Sequence, residues 1–201
     1  MLSLEEGKKL VKLARKTLEK FFENKKFELE KTEEKNLQEK KGVFVTIEKF
    51  PDKSLRGCIG FPSPTLPLTE AVQRAAFSAA FEDSRFLSLE KQELKKIIFE
   101  ISVLTKPKLI KIKNPKEYFK KIEIGKDGLI LQNGPFSGLL LPQVPLQFNW
   151  NVEKFLENLC YKAGLTPDYS HNKNTKIWKF QVQIFSEKKP KGEIIRTLVT
   201  R

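Results

Sequence analysis

The sequence predicts an α+β fold, an antiparallel sheet flanked by helices, and three observations lead there. Apolar residues recur at helical spacing in some segments and alternate strictly in others, without the regular strand-helix-strand rhythm of parallel-sheet folds. The pairs Asp127-Gly128 and Asn133-Gly134 bracket short apolar runs, as tight antiparallel turns do. A proline- and lysine-rich stretch, KPKLIKIKNPKEYF, departs from the pattern just after IIFEISVLT and marks an insertion boundary. The expected organisation is therefore two unequal subdomains: a larger α+β part made of residues 1–105 and 149–201, and a smaller, β-rich insertion at 106–148.

The elements follow in order. Leu10, Leu13, Ala14, Thr17, Leu18 and Phe21 lie three to four residues apart, so residues 4–22 read as an amphipathic helix with Ser3 as its cap. Residues 23–41 are charged and aperiodic, an exposed loop or frayed helix that ends before Gly42. In GVFVTIEKF, Val43, Val45 and Ile47 alternate with Phe44 and Thr46, Pro51-Asp52 turns the chain, and SLRGCIGF returns it as a hairpin. Thr69 is placed to cap a helix reaching Phe81, whose Ala75, Ala76, Ala79 and Ala80 permit close packing on a sheet. IIFEISVLT, 97–105, is a strand. Asn151 caps the helix VEKFLENLCYKA, Gly164 ends it, and IWKFQVQIF, 177–185, is the closing strand.

Composition narrows the class. With 39% hydrophobic and 31% charged residues, and 16 Phe spread through the periodic segments, the chain has the makeup of a packed protein rather than a disordered one. No apolar run approaches the roughly 20 residues that cross a bilayer, so no membrane span or signal peptide is expected. Cys58 and Cys160 form no CxxC pair, which leaves a zinc site or disulfide framework unsupported and favours a reducing, cytoplasmic setting. The formal charge of +13 would suit nucleic acid, yet the excess is lysine mixed with glutamate, as in ELEKTEEKNLQEKK, and arginines are few. Solvated lysine-rich faces are the favoured reading of this basic protein, and Lys and Glu enrichment beside a single Met resembles the composition of a thermophile. There is no GxxxxGK[ST] loop, no GxGxxG and no repeat, so no cofactor is expected.

The chemistry concentrates in KSLRGCIGFPSPTLPL, residues 53–68. Strand alternation sends Leu55 and Ile59 inward and puts Arg56 and Cys58 on the opposite face, where a guanidinium would lower the thiol pKa from its free value of about 8.5. Gly57 and Gly60 would let a backbone or ligand come close, with the proline-rich segment as a wall. The competing reading, glycines making a bulge around a small buried cysteine, is equally supported by these residues alone. Asp83 and Arg85, with Glu82 in FEDSRF, could bring charge to a cleft, although a surface ion pair is the favoured reading. His171 is the only histidine, so a multi-histidine metal site is excluded and an exposed turn residue is favoured over a catalytic one. Cys160 falls on an apolar helix stripe as core filler, and Phe148 with Trp150 reads as packing before the Asn151 cap.

SLRGCIG, the alanine-rich helix ending in EDSRF, EISVL, GLIL, LLPQVP, NWN and KFLENLCYKAGL, in this order over residues 42–187, resemble the AMME syndrome candidate gene family and its AMMECR domain. The resemblance implies two unequal subdomains, the larger built from both ends of the chain around an antiparallel sheet. It implies a modification pathway shared with a radical SAM protein and a protein similar to the mediator of cell motility. No reaction comes with it, and both an enzyme using the Cys58/Arg56 cleft and a protein- or RNA-binding regulatory module remain open. Carried over by position, the motif residues are Leu55 to Gly60 with Arg56 and Cys58, then Asp83, Arg85 and Phe86, and Gln143 in LLPQV. Where the resemblance implies a glutamate, this chain has Gln147, so no general base is carried over there.

Overall fold

A computed structural model describes residues 1–172 and 174–199, without the side chains of Tyr169 and His171, so the sequence reading of His171 lies outside the described residues. In chain order the elements are α1 (Leu4–Asn24), α2 (Lys35–Gln38), β1 (Val43–Lys49), β2 (Leu55–Phe61), α3 (Leu68–Phe81), β3 (Ile97–Leu104), β4 (Lys108–Leu109) and α4 (Tyr118–Lys121). They continue with β5 (Gly128–Asn133), β6 (Phe136–Leu140), α5 (Val144–Gln147), α6 (Val152–Lys162), β7 (Lys176–Phe180), β8 (Val182–Glu187) and β9 (Ile194–Thr197). The fold is α+β with antiparallel pairing, and it divides into two compact units.

The first unit takes Met1–Leu104 and Gln183–Leu198. Its sheet runs β2-β1-β3-β8-β9. Val43, Val45 and Ile47 of β1 and Phe99, Ile101 and Val103 of β3 pack with Leu10, Ala14 and Leu18 of α1 and Val72, Ala75, Ala76 and Ala79 of α3 in one core. Helix α1 starts as expected: Ser3 Oγ accepts the Glu6 N–H and the Glu6 carboxylate accepts the Ser3 N–H, closing a capping box. Helix α3 starts differently. It begins at Leu68 behind Pro67 without a side-chain cap, and Thr69 is buried within its first turn.

One charged pair lies in this core. Arg15 donates Nε and Nη2 to the two carboxylate oxygens of Glu187 at 2.7 and 2.5 Å, and also reaches the carbonyls of Leu94 and Ile97. Glu187 in turn accepts the Phe99 N–H at 3.1 Å. The pair ties α1 to β8 and to the start of β3, positions up to 172 residues apart in sequence.

The second unit contains Thr105–Val182. Its sheet runs β4-β7-β5-β6, and Tyr118, Leu129, Leu131, Phe155, Leu159, Cys160 and Ile177 form a separate core around α6. Asn151 caps α6 by accepting the Lys154 N–H, and Gly164 follows its end at φ +75°. Trp150 packs against this core while Phe148, stacked on it at 5.0 Å, stays exposed.

Two expectations change. The single strand expected over 177–185 is two strands, β7 in the four-stranded sheet and β8 in the five-stranded one. Alternation runs unbroken across Gln181, but Thr105 takes both of its main-chain groups, donating N–H to the Gln181 carbonyl and accepting the Gln181 N–H at Oγ1. The second compact unit runs on past the insertion expected at 106–148, because Phe155, Leu156, Leu159 and Cys160 of α6 and Ile177 of β7 belong to its core. Strand β9, pairing with β8, had no sequence counterpart.

Truncating Glu187 to Ala strands the Arg15 guanidinium in the core and should cost about 3–5 kcal/mol in urea unfolding. The double replacement Arg15→Met with Glu187→Leu, which removes both charges, should recover most of that loss.

Candidate functional site

The site grows from the edge of the first sheet. β2 pairs only with β1, so every second residue of β2 points its N–H and C=O away from the sheet. Cys58 is such a residue. Its N–H donates to Asp83 Oδ2 at 2.9 Å, and its carbonyl accepts from Arg85 Nη2 at 3.2 Å. Arg85 also grips Asp83, with Nε to Oδ1 at 2.9 Å and Nη2 to Oδ2 at 2.7 Å. The turn after α3 thus supplies the acceptor and the donor that a further strand would have supplied.

With its main chain turned outward, Cys58 forms a non-hydrogen-bonded pair with Thr46 on β1, the arrangement in which facing side chains come closest. Cys58 Sγ and Thr46 Oγ1 lie 3.3 Å apart. On the other side of Thr46 its cross-strand partner is Glu100 of β3. Cys58, Thr46 and Glu100 therefore form one lateral row across three strands, on the sheet face opposite the core. Glu48, on the same face of β1, completes a polar patch.

Two carboxyls here titrate in opposite directions. Asp83 is buried, yet the Arg85 guanidinium and the N–H groups of Cys58 and Arg85 hold it well below the usual carboxylate range. Glu100 has no hydrogen-bond donor among the described residues; burial, reinforced by the Glu48 charge, pushes it up to about 7. Burial pushes the Cys58 thiol up as well; the Thr46 hydrogen bond and the Arg85 charge pull it down, and Asp83 and Glu100 add to the rise.

Several sequence expectations need correction. Arg56 does not sit beside the thiol as its activating charge. The β1–β2 register passes from Ile47 opposite Gly57 to Glu48 opposite Leu55, so Arg56 is the extra residue of a β-bulge. The bulge breaks the alternation: Leu55, expected inside, is 40% exposed, and Arg56 turns to a part-buried ion pair with Glu93, Nε to Oε1 at 2.8 Å and Nη2 to Oε2 at 3.0 Å. The activating guanidinium is that of Arg85, and the thiol pKa rises instead of falling. Gly57 and Gly60 leave no room for a ligand at their Cα atoms. A Cβ on Gly57 would lie 2.1 Å from the Ala79 carbonyl of α3, and one on Gly60 would lie 2.3 Å from the Phe44 ring. Their closeness serves helix and strand packing.

Of the expected residues, the structure joins Cys58, Asp83 and Arg85 by direct hydrogen bonds. Gln143 belongs to the second unit, where it precedes α5 and its Oε1 is buried without a hydrogen-bond partner among the described residues. Thr46 and Glu100 were missed. The signal for Glu100 was present, since it is the one charged residue inside the largely apolar IIFEISVL.

Comparison with known proteins gives consistent matches. The family model AMMECR1 matches residues 11–185. Protein MJ0810 of Methanocaldococcus jannaschii is 49% identical to this chain, over 97% of this chain and 96% of its own length. Protein MK0488 of Methanopyrus kandleri is also 49% identical, covering 96% and 94%. The crystal structure of the uncharacterized protein PH0010 from Pyrococcus horikoshii is similar with a TM-score of 0.87 and 45% identity, covering 96% of this chain and 97% of that one.

Glu100 is raised from 4.5 when unfolded to about 7 when folded, so its protonated form favours the fold: stability is full below about pH 4.5 and is lost as pH rises to about 7. Glu100→Gln should remove that loss, making the variant more stable than the parent at about pH 8 by on the order of 1–3 kcal/mol, with little difference near pH 4. Thermal melts at the two pH values check it.

Proposed function

The chain belongs to the AMMECR1 family, and from that premise we propose that strand β2 carries a thiol site in which Cys58 is the nucleophile and Glu100 the proton acceptor. The row Cys58, Thr46, Glu100 carries this reading. A thiol raised by burial is a poor nucleophile unaided at neutral pH, and it requires a base poised near neutrality. Glu100, at about 7, is such a base, and the Thr46 hydroxyl lies between the two strands that carry them.

The reaction class these groups suit is acyl transfer to sulfur. Cys58 Sγ bonds to an electrophilic acyl carbon as its proton, handed on by a solvent water, reaches the Glu100 carboxylate, while Thr46 Oγ1 holds the thiol. Protonated Glu100 then returns the proton to the departing group. Asp83 and Arg85 are positioning residues that hold the Cys58 peptide, while Arg56 holds the segment around Glu93.

A second reading is favoured by Leu87, 88% exposed just beyond Arg85, and by exposed Leu55 on β2. These apolar side chains suit docking of a partner protein, and the radical SAM and motility-mediator-like proteins are the partners the family resemblance suggests. Leu87→Ser would then abolish co-purification of such a partner and leave the thiol chemistry untouched.

Alkylation of Cys58 by iodoacetamide, followed by mass spectrometry across pH, tests the first reading. The rate should rise with a midpoint near 7, and in Glu100→Gln or Thr46→Val that rise should move above about pH 9. A parent protein that reacts only above about pH 9, or only when unfolded, would exclude Cys58 as the nucleophile.

A further inference from the structure

The second unit carries a cavity of about 460 Å³ that no part of the thiol site uses. Its walls come from the segment after β4, the start of α4 and the approach to β7. Leu109 and Ile112 present apolar surface to it, backed by the buried Ile110, Tyr118 and Ile177, and the Ile110 N–H to Ile177 carbonyl bond at 2.8 Å joins two of these residues. Lys111, Lys113 and Lys176 also line it, and no carboxylate does so among the described residues.

Lys121, Lys126, Lys154 and Lys179 of the same unit each hold a carboxylate within 3 Å, whereas Lys111, Lys113 and Lys176 form no ion pair among the described residues. Lysines gathered around one concavity raise the local anion concentration, and low-dielectric walls focus that field. Asn114, Ser170, Asn172 and Thr175 add neutral hydrogen-bonding groups. The volume falls in the range of small-molecule sites, about 300–1,000 Å³.

We propose that this cavity binds a nucleoside phosphate, with the lysines on the phosphate and the isoleucine-lined wall against the base or sugar. Lysine suits the phosphate as a compact point charge with rotatable donors, and the apolar wall gives a planar body the contact that inorganic phosphate lacks. The same chemistry is offered by a free mononucleotide and by the phosphorylated end of an RNA.

Isothermal titration of the full chain with AMP, adenosine, inorganic phosphate and a short 5′-phosphorylated oligoribonucleotide tests the assignment. AMP or the oligonucleotide should saturate, with adenosine and phosphate each weaker by about tenfold or more, since each lacks half of the contact. Tighter binding of the oligonucleotide than of AMP assigns the ligand to an RNA end, and the reverse assigns a free nucleotide. The exposed triple variant Lys111→Gln, Lys113→Gln, Lys176→Gln should weaken binding about tenfold or more, while Lys91→Gln, Lys95→Gln, Lys96→Gln, equal in charge lost, should not. Absence of saturation with both phosphorylated probes, or equal weakening by the two triple variants, would overturn the proposal.

Discussion

Strand β2 is an edge, and the outward N–H and carbonyl of Cys58 are met by the Asp83 carboxylate and the Arg85 guanidinium, which are themselves ion-paired. A carboxylate accepting from a backbone N–H is among the stronger hydrogen bonds available, worth about 1.5–3 kcal/mol. The clamp works only because α3 comes close enough to deliver it. Gly57 permits that approach by leaving the Ala79 carbonyl the space its side chain would occupy, and the alanines of α3 continue the close contact. Glycine, alanine-rich helix and Asp-Ser-Arg turn are thus one device, which holds the Cys58 peptide and turns its side chain to Thr46.

Asp83 and Glu100 illustrate how one functional group takes two characters. Both are withdrawn from solvent, but Asp83 receives three kinds of N–H donor and stays ionised, whereas Glu100 receives none and is left with the desolvation penalty and the neighbouring Glu48 charge. A permanently charged carboxylate suits scaffolding, and one that titrates near neutrality suits proton transfer. The proposed division of roles between them follows from these surroundings.

Much of this was legible from residue pattern. The Ser3 and Asn151 caps, the hairpin of β1 and β2 and the alanine stripe of α3 are local features, and local features are what periodicity and capping chemistry report. The bulge at Arg56 was not legible, because one inserted residue reverses the facing of everything before it without altering composition. For the same reason Arg56, two residues from Cys58, was read as its neighbour when its partner is Glu93. The division of 177–185 between two sheets was hidden as well, since alternation records a strand's faces and not the sheet it joins. Glu187 lies at the end of a buried strand, and the three-dimensional proximity of Arg15 explains a buried carboxylate there.

The row of Cys58, Thr46 and Glu100 has a direct physical signature in the Glu100 carboxyl itself. A carbon-13 NMR titration of the glutamate side-chain carboxyls, with Glu100 assigned by its absence in Glu100→Gln, reads that signature in the intact chain. The expected midpoint is about 7. A midpoint near 4.5, that of an ordinary glutamate, would contradict the account, because Glu100 would then be a solvated surface charge and not a base poised for the thiol.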